Sequence, residues 1–179
     1  MDENLEPLKY PIGKFKPPTV ISDDLLQDWI NTIDGFPTKF RRLVHNLNPD
    51  QLNTPYRPGG WTVKQVIHHV GDSHINSYTR FKWALTEDNP VIKDYDEVRW
   101  AELKDSLVED TSISLHFLEA VHRKWVFLLR SLNREDLDRT FIHPQSGRVV
   151  VLRKNVGIYA WHCNHHYAHV AELIKRERW

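Results

Sequence analysis

The chain has 179 residues, 40% of them hydrophobic, and its 24 lysines and arginines balance 24 aspartates and glutamates. That length fits one domain with a real core; the neutral balance supplies no global field to recruit nucleic acid or an anionic membrane, and no apolar run approaches the ~18–20 residues of a bilayer span. The only cysteine, Cys163, has no intramolecular disulfide partner, and Met1-Asp2-Glu3-Asn4 lacks the basic and apolar segments of a secretory signal, so a cytoplasmic, reducing setting is expected.

Residues 1–20 read as an extended arm, because Pro7, Pro11, Pro17 and Pro18 each remove an amide donor and restrict the residue before them. Ser22 is an N-cap candidate with Asp23 and Asp24 in the first turn. Leu26, Trp29, Ile30, Ile33, Phe36, Phe40, Leu43, Val44 and Leu47 then follow at helical spacing, with Pro37 expected to kink this first helix. Asn48-Pro49-Asp50 ends it. Thr62 and Gln65 have capping-box spacing and open a second helix that Val63, Val66, Val70, Ser77, Phe81 and Leu85 carry to about Thr86. Residues 89–107 form a long loop with a short helix near Trp100. Leu115, Leu118, Val121, Trp125, Leu128, Leu129 and Leu132 mark a third helix, capped by Ser112 or Ser114. The β-prone runs Thr140–His143 and Val149–Leu152 flank Pro144-Gln145-Ser146-Gly147-Arg148, a hairpin signature. A fourth helix runs from about Asn155 to Arg176. Residues 1–179 are thus expected to form a single all-α domain, a four-helix bundle with a small β-hairpin before the last helix.

The fourth helix carries the strongest chemical signal. Ile158–Leu173 holds His162, His165, His166 and His169, four of the chain's eleven histidines. At ~100° per residue His162 and His166 lie about 40° apart, and His169 falls about 20° to the other side of His162. That stripe also bears Ile158 and Leu173, so the imidazoles lie on a face that normally turns to the core. Two imidazoles one turn apart can converge on a divalent metal ion. The second helix offers a third: His69 is the candidate, on a face shared with Ser73 and Asn76, while His68 and His74 are alternatives that periodicity does not rank. His74, His116, His122 and His143 otherwise read as ordinary packing or surface residues.

At these residues the chain resembles the DinB-like bundles and, within them, the YfiT branch of metal-dependent hydrolases, also described as bacillithiol S-transferases. The resemblance runs through Tyr10-Pro11-Ile12-Gly13, Phe15-Lys16-Pro17, Thr54-Pro55-Tyr56-Arg57, Gly59-Gly60-Trp61-Thr62-Val63, Gln65-Val66, His68-His69, Asp72-Ser73-His74 and Asn76-Ser77-Tyr78. It resumes at Glu102-Leu103-Lys104-Asp105-Ser106, His143-Pro144, Trp161-His162, His165-His166 and Ala168-His169, and ends at Trp179. It implies an up-down-down-up bundle, one divalent ion per chain (zinc or nickel) on His69, His162 and His166 with water at open positions, and a cytoplasmic homodimer. Cys163-Asn164 is not a fixed part of the pattern, and Cys163 reads as a bystander.

Three neutral imidazoles leave a divalent ion with a vacant position, the pattern of catalytic and not of closed structural sites. Bound water there gives a hydrolase; a bound low-molecular-weight thiol gives a transferase acting on an electrophilic small molecule. The absence of a Glu of the H-E-x-x-H kind in the fourth helix favours the thiol. Asp72, Asn76, His165 and Arg57 are candidates for supporting roles: Asp72 to orient an imidazole, His165 to move protons, Arg57 to hold an anionic group. The non-enzymatic alternative is a metal-stabilised binding or stress-response module, in which the ion only fastens the second helix to the fourth.

Overall fold

The computed structural model describes residues 5–179. Its four long helices are α1 (Asp23–Val44), α2 (Val63–Thr86), α3 (Ser112–Ser131) and α4 (Leu152–Glu177). The expected start signals operate in the first two: Ser22 Oγ accepts from the Leu25 amide at 3.2 Å, and Thr62 and Gln65 form both halves of a capping box. In α3 they do not. Thr111 occupies the N-cap with no side-chain bond, while the Ser114 hydroxyl faces across to α2, 2.7 Å from His68 Nδ1. Helix α4 begins three residues before Asn155, because strand β2 passes straight into it and the Leu152 amide bonds to Arg139 O at 2.9 Å.

Cross-helix contacts fix the directions. Asp34 meets Arg130 and Arg41 meets Glu119, so α1 and α3 are antiparallel. His68 meets Ser114 and His74 meets His122, so α2 and α3 are parallel. Asn155 meets Ser77 and Tyr159 meets Ser73, which makes α2 and α4 antiparallel. Lys39 lies over Tyr167, and the Trp29 ring lies against Gly157, so α1 and α4 run together. The bundle is therefore up-down-down-up. Close approach of α1 to α4 depends on Gly157: a Cβ there would sit 2.7 Å from two carbons of the Trp29 ring.

The core is a continuous apolar cluster, with Ile33, Phe40, Val66, Ile67, Phe81, Leu118, Trp125 and Leu152 essentially inaccessible. Pro37 lies inside α1 and is buried. It has no amide to offer the Ile33 carbonyl four residues back, and that carbonyl bonds instead to His122 Nδ1 on α3, at 2.6 Å.

Strands β1 (Thr140–Ile142) and β2 (Val149–Val151) form the expected antiparallel hairpin, with Phe141 opposite Val150. It closes one end of the bundle: Arg139 donates to Ala84 O and, at 2.7 Å, to Glu87 O, capping the end of α2. The long connection from α2 to α3 is pinned to this hairpin through mutual bonds of Ile92 and Ile142 with their neighbours and includes a helical turn at Glu97–Trp100. The N-terminal arm departs from the extended expectation at Glu6–Lys9, a single helical turn with Pro7 in its tolerated first positions. The arm lies along α4, where Trp161 Nε1 donates to Gly13 O at 3.1 Å and His169 Nε2 donates to Lys9 O at 3.0 Å. Met1–Asn4, part of the expected arm, lie outside the described residues.

Candidate metal centre

His69 from α2 and His162 and His166 from α4 present ligand atoms that all lie within 4.8 Å of one another. Antiparallel packing makes this meeting possible: Ser77 meets Asn155 and Ser73 meets Tyr159, so one further turn along both helices brings His69 level with His162 and His166. The rings contact one another, with centroids 5.5 Å apart for His69 and His162, 4.9 Å for His69 and His166, and 4.4 Å for His162 and His166. Trp61 packs on His69 at 4.5 Å.

Burial holds all three imidazoles neutral. The His69 pKa falls to about 4, from burial first and the neighbouring His169 second. His162 and His166 are pushed well below 6.5, again by burial and then by the surrounding histidines. At neutral pH each ring therefore keeps an unprotonated nitrogen for a metal. His69 makes no hydrogen bond among the described residues, and His166 Nδ1 is buried without a partner. A donor set of three neutral imidazoles, two of them unengaged and none opposed by a proton, fits a divalent ion.

The third, His162, is held closely on one side and has only a long contact on the other, Ser73 Oγ at 3.4 Å from its Nε2. Its Nδ1 lies 2.9 Å from His74 Nε2, His74 Nδ1 lies 2.6 Å from His122 Nε2, and His122 Nδ1 lies 2.6 Å from Ile33 O. A carbonyl only accepts, so His122 donates from Nδ1. A neutral imidazole has one N–H, so His122 Nε2 accepts from His74, and His74 Nε2 in turn accepts from His162. His74 and His122 are both held neutral by burial, His122 at about 4. The chain of bonds thus fixes the tautomer of His162 with the proton on Nδ1 and Nε2 unprotonated. His74 and His122, read from sequence as ordinary packing residues, orient a member of the triad.

His74, His122 and Cys163 make a second compact group of potential ligands. The short bond between the two rings accounts for it without an ion, and burial drives the Cys163 thiol well above its ordinary pKa, away from the thiolate a metal requires.

The triad opens into a cavity of ≈ 470 Å³. Lys9, Tyr10, Tyr56, Arg57, Trp61, His165 and His169 line it beside the arm, and Ser73, Arg80, Asp94, Tyr95, Glu97, His143 and Tyr159 line it towards the hairpin. Of the supporting candidates, His165 and Arg57 reach it. His165 stacks between Trp161 and Tyr10, with centroids at 4.4 and 5.8 Å. Arg57 lies over the Tyr56 ring and donates to Pro58 O at 2.9 Å. Asp72 and Asn76 do not line the cavity. On the helical wheel they fall to one side of His69, about 60° and 20° away, while Ser73 and Arg80 fall about 40° and 20° to the other. Asn76 Nδ2 donates to Asp72 O at 2.8 Å, and the Asp72 carboxyl is raised to about 6 by burial and by Asp105. Of the alternatives to His69, His68 turns to Ser114 and the Val108 carbonyl.

Arg80, Tyr95 and Tyr159 were not among the residues marked for the site, and Tyr10 entered only as part of the resemblance. Arg80 carried a signal, since eleven residues after His69 is three turns and the same face. Tyr95 carried none, because the path of its loop is set by pairing with the hairpin.

An up-down-down-up helical bundle with three converging histidines at an open cavity defines a class of metal-centred four-helix proteins. The chain belongs to the DinB superfamily, which residues 32–170 match. It is 52% identical over 171 residues to a protein of Oceanobacillus iheyensis, spanning 96% of this chain and 98% of that one, and 46% identical over 172 residues to YfiT of Bacillus subtilis, spanning 96% and 97%. Both are provisionally named metal-dependent hydrolases. The solved YfiT structure, described as having an unusual four-helix bundle topology, superposes with a TM-score of 0.94 over 97% of this chain and 99% of that one. A mycothiol-dependent maleylpyruvate isomerase shares the fold at a TM-score of 0.60 and 16% identity, over 78% of this chain and 60% of that one.

Proposed function

We propose that the protein is a metal-dependent enzyme that uses His69, His162 and His166 to hold one divalent ion, zinc or nickel, and activates a small thiol or water for attack on an electrophilic small molecule. One observation carries this reading: three neutral histidines, His69 and His166 buried and His162 half-buried, converge at a cavity, with no fourth His, Cys, Asp or Glu completing the group among the described residues. An ion held there would supply a double positive charge that favours the ionised form of a thiol or water in the remaining position.

The chain's own residues do the rest. Trp61 covers His69 from water on one side. Trp161 and Tyr10 clamp His165 at the mouth of the cavity. Of the lining carboxylates, Asp94 faces His143 at 3.7 Å and Glu97 is exposed, so neither is a dedicated general base beside the triad. This favours a thiol, which ionises more readily than water. In transfer the thiol proton leaves to solvent, its sulfur forms the new bond to the electrophilic carbon, and the leaving group departs with the electron pair of the broken bond. Hydrolysis is the same displacement with water as the nucleophile. The reading extends to a cytoplasmic homodimer that uses neither nucleic acid nor a membrane; no helix is long and apolar enough to cross one.

The test is elemental analysis of untagged protein and of the His69→Ala, His162→Ala and His166→Ala variants, with thermal melts alongside. The expected result is about one metal per chain in the parent, lost from all three variants while the fold persists. Retention of metal by the variants would overturn the site. Collapse of the fold on metal removal would favour the structural, non-enzymatic role.

A further inference from the structure

The cavity holds a cation that the metal centre does not use. Arg80 lies on α2 and lines the same cavity as His69, His162 and His166, yet only 8% of it is exposed. Its Nε is buried with no hydrogen-bond partner, and no carboxylate lies within ion-pair distance of its guanidinium among the described residues. A buried cation without a counter-charge is costly. The other arginines nearby do not share this state: Arg57 bonds to Pro58 O, and Arg139 bonds to two backbone carbonyls.

Arg80 and the triad share one cavity, and Ser73 lines it too, between Arg80 and His69 along α2. Side chains of a helix lean towards its N-terminus, which carries the guanidinium back along α2 in the direction of Ser73 and His69. Tyr95 lines the same cavity, together with Ser73 and Tyr159. Ser73 Oγ is itself 3.4 Å from His162 Nε2. Ser73, Tyr95 and Tyr159 thus share the cavity with Arg80 and the triad, and Ser73 Oγ also lies 3.4 Å from the Tyr159 hydroxyl. The ionic groups lining this cavity are Lys9, Arg57 and Arg80 against Asp94 and Glu97, and Asp94 is occupied with His143.

We infer that Arg80 is the anion-recognising residue of this cavity, so that the substrate or its thiol partner carries a carboxylate held by Arg80 while its reactive end lies at the three histidines. A planar guanidinium with free N–H groups pairs a carboxylate in two parallel bonds. Phosphate is disfavoured, because the other cations lining the cavity are engaged, Arg57 with Pro58 O and Lys9 with Glu6 at 3.8 Å, and no long-helix N-terminus faces the same point. The inference deepens the reading of the centre as a metal enzyme and rests on it.

The test uses cobalt(II)-loaded protein and two probe series. The first compares ω-mercaptoalkanoates, from mercaptoacetate to 6-mercaptohexanoate, with the mercapto-alcohols of equal length, read by the sulfur-to-cobalt absorption band. The second uses linear dicarboxylates from succinate to pimelate, with inorganic phosphate as a control, read by calorimetry and needing no thiol. In the parent protein at least one acid is expected to bind about tenfold or more tightly than its neutral partner. Arg80→Gln should abolish that advantage, Arg80→Lys should keep part of it, and melts should show both variants folded. If acids and alcohols bind alike, if the advantage survives Arg80→Gln, or if phosphate matches the carboxylates, the assignment fails. If no thiol perturbs cobalt while dicarboxylates still bind in an Arg80-dependent way, the carboxylate site stands and thiol transfer falls.

Discussion

Single nitrogen atoms decide what the three histidines can do. His162 contributes a defined lone pair only because its other nitrogen is held by His74, and His74 is held by His122. Ligand-orienting bonds of this kind are typically worth 10–100-fold in metal affinity. His74→Leu is therefore expected to weaken metal binding by about that factor in a chelator competition, with the helical content unchanged. His74→Gln should recover much of the loss, since an amide accepts from His162 through its oxygen and donates to His122 through its nitrogen. Equal affinity in the parent and His74→Leu would show the chain of bonds to be irrelevant. Neither His74 nor His122 was legible as a positioning residue from spacing, because their partners lie 88 and 89 residues away in the chain.

At the scale of elements, the site is a product of how α2 and α4 are aligned and of how α1 presses on the back of α4. Gly157 lets the Trp29 ring lie directly on α4, five residues before His162. Gly157→Ala adds helix propensity of about 1 kcal/mol, but its Cβ meets rigid ring carbons at 2.7 Å, and overpacking of that kind costs about 1–3 kcal/mol. A lower melting temperature is expected, and an unchanged or raised one would show that the ring moves aside freely. Pro37 illustrates the same coupling. A proline inside a helix predicts a kink; here the missing amide leaves the Ile33 carbonyl open to His122. Capping residues placed the starts of α1 and α2 and apolar periodicity the end of α2, but α1 stops at Val44, three residues before Leu47, which the periodicity had carried into it. The start of α3 was less legible, since Ser112 and Ser114 have the chemistry of caps while Thr111 takes the position without using its hydroxyl. Local sequence offers candidates there, and the tertiary contact of Ser114 with His68 selects among them.

For the molecule as a whole, burying so many histidines makes stability depend on pH. His69 and His122 have folded pKa values of about 4, below the 6.5 of an unfolded histidine. Between those limits the unfolded chain binds more protons, so metal-free protein loses stability as pH falls from about 6.5 towards 4, by about 1.4 kcal/mol per pH unit for each such histidine. Asp72 acts in the opposite sense, its carboxyl raised to about 6, but it is one group against several histidines. Thermal melts of the metal-free protein should therefore show a midpoint that is nearly level above pH 7 and falls steeply below 6.5. A midpoint independent of pH between 7 and 5 would contradict the buried neutral state. Bound metal should counter the loss until protons compete for the same lone pairs at lower pH.

The sequence by itself determined the helical bundle and which residue types carry its chemistry, because amphipathic spacing, capping pairs and two histidines one turn apart are local properties of a helix. It also pointed to His69, through ordered motifs that resemble a family. Only the tertiary structure decided which neighbours complete the site. Arg80 is on the right face of α2, but its isolation from any carboxylate depends on everything packed around it. Tyr95 reaches the cavity because its loop is pinned to the hairpin, and Asp72 misses it because α2 turns a slightly different arc inward. These are facts about which surfaces meet, and surfaces meet through contacts between residues far apart in the chain, which no local pattern encodes.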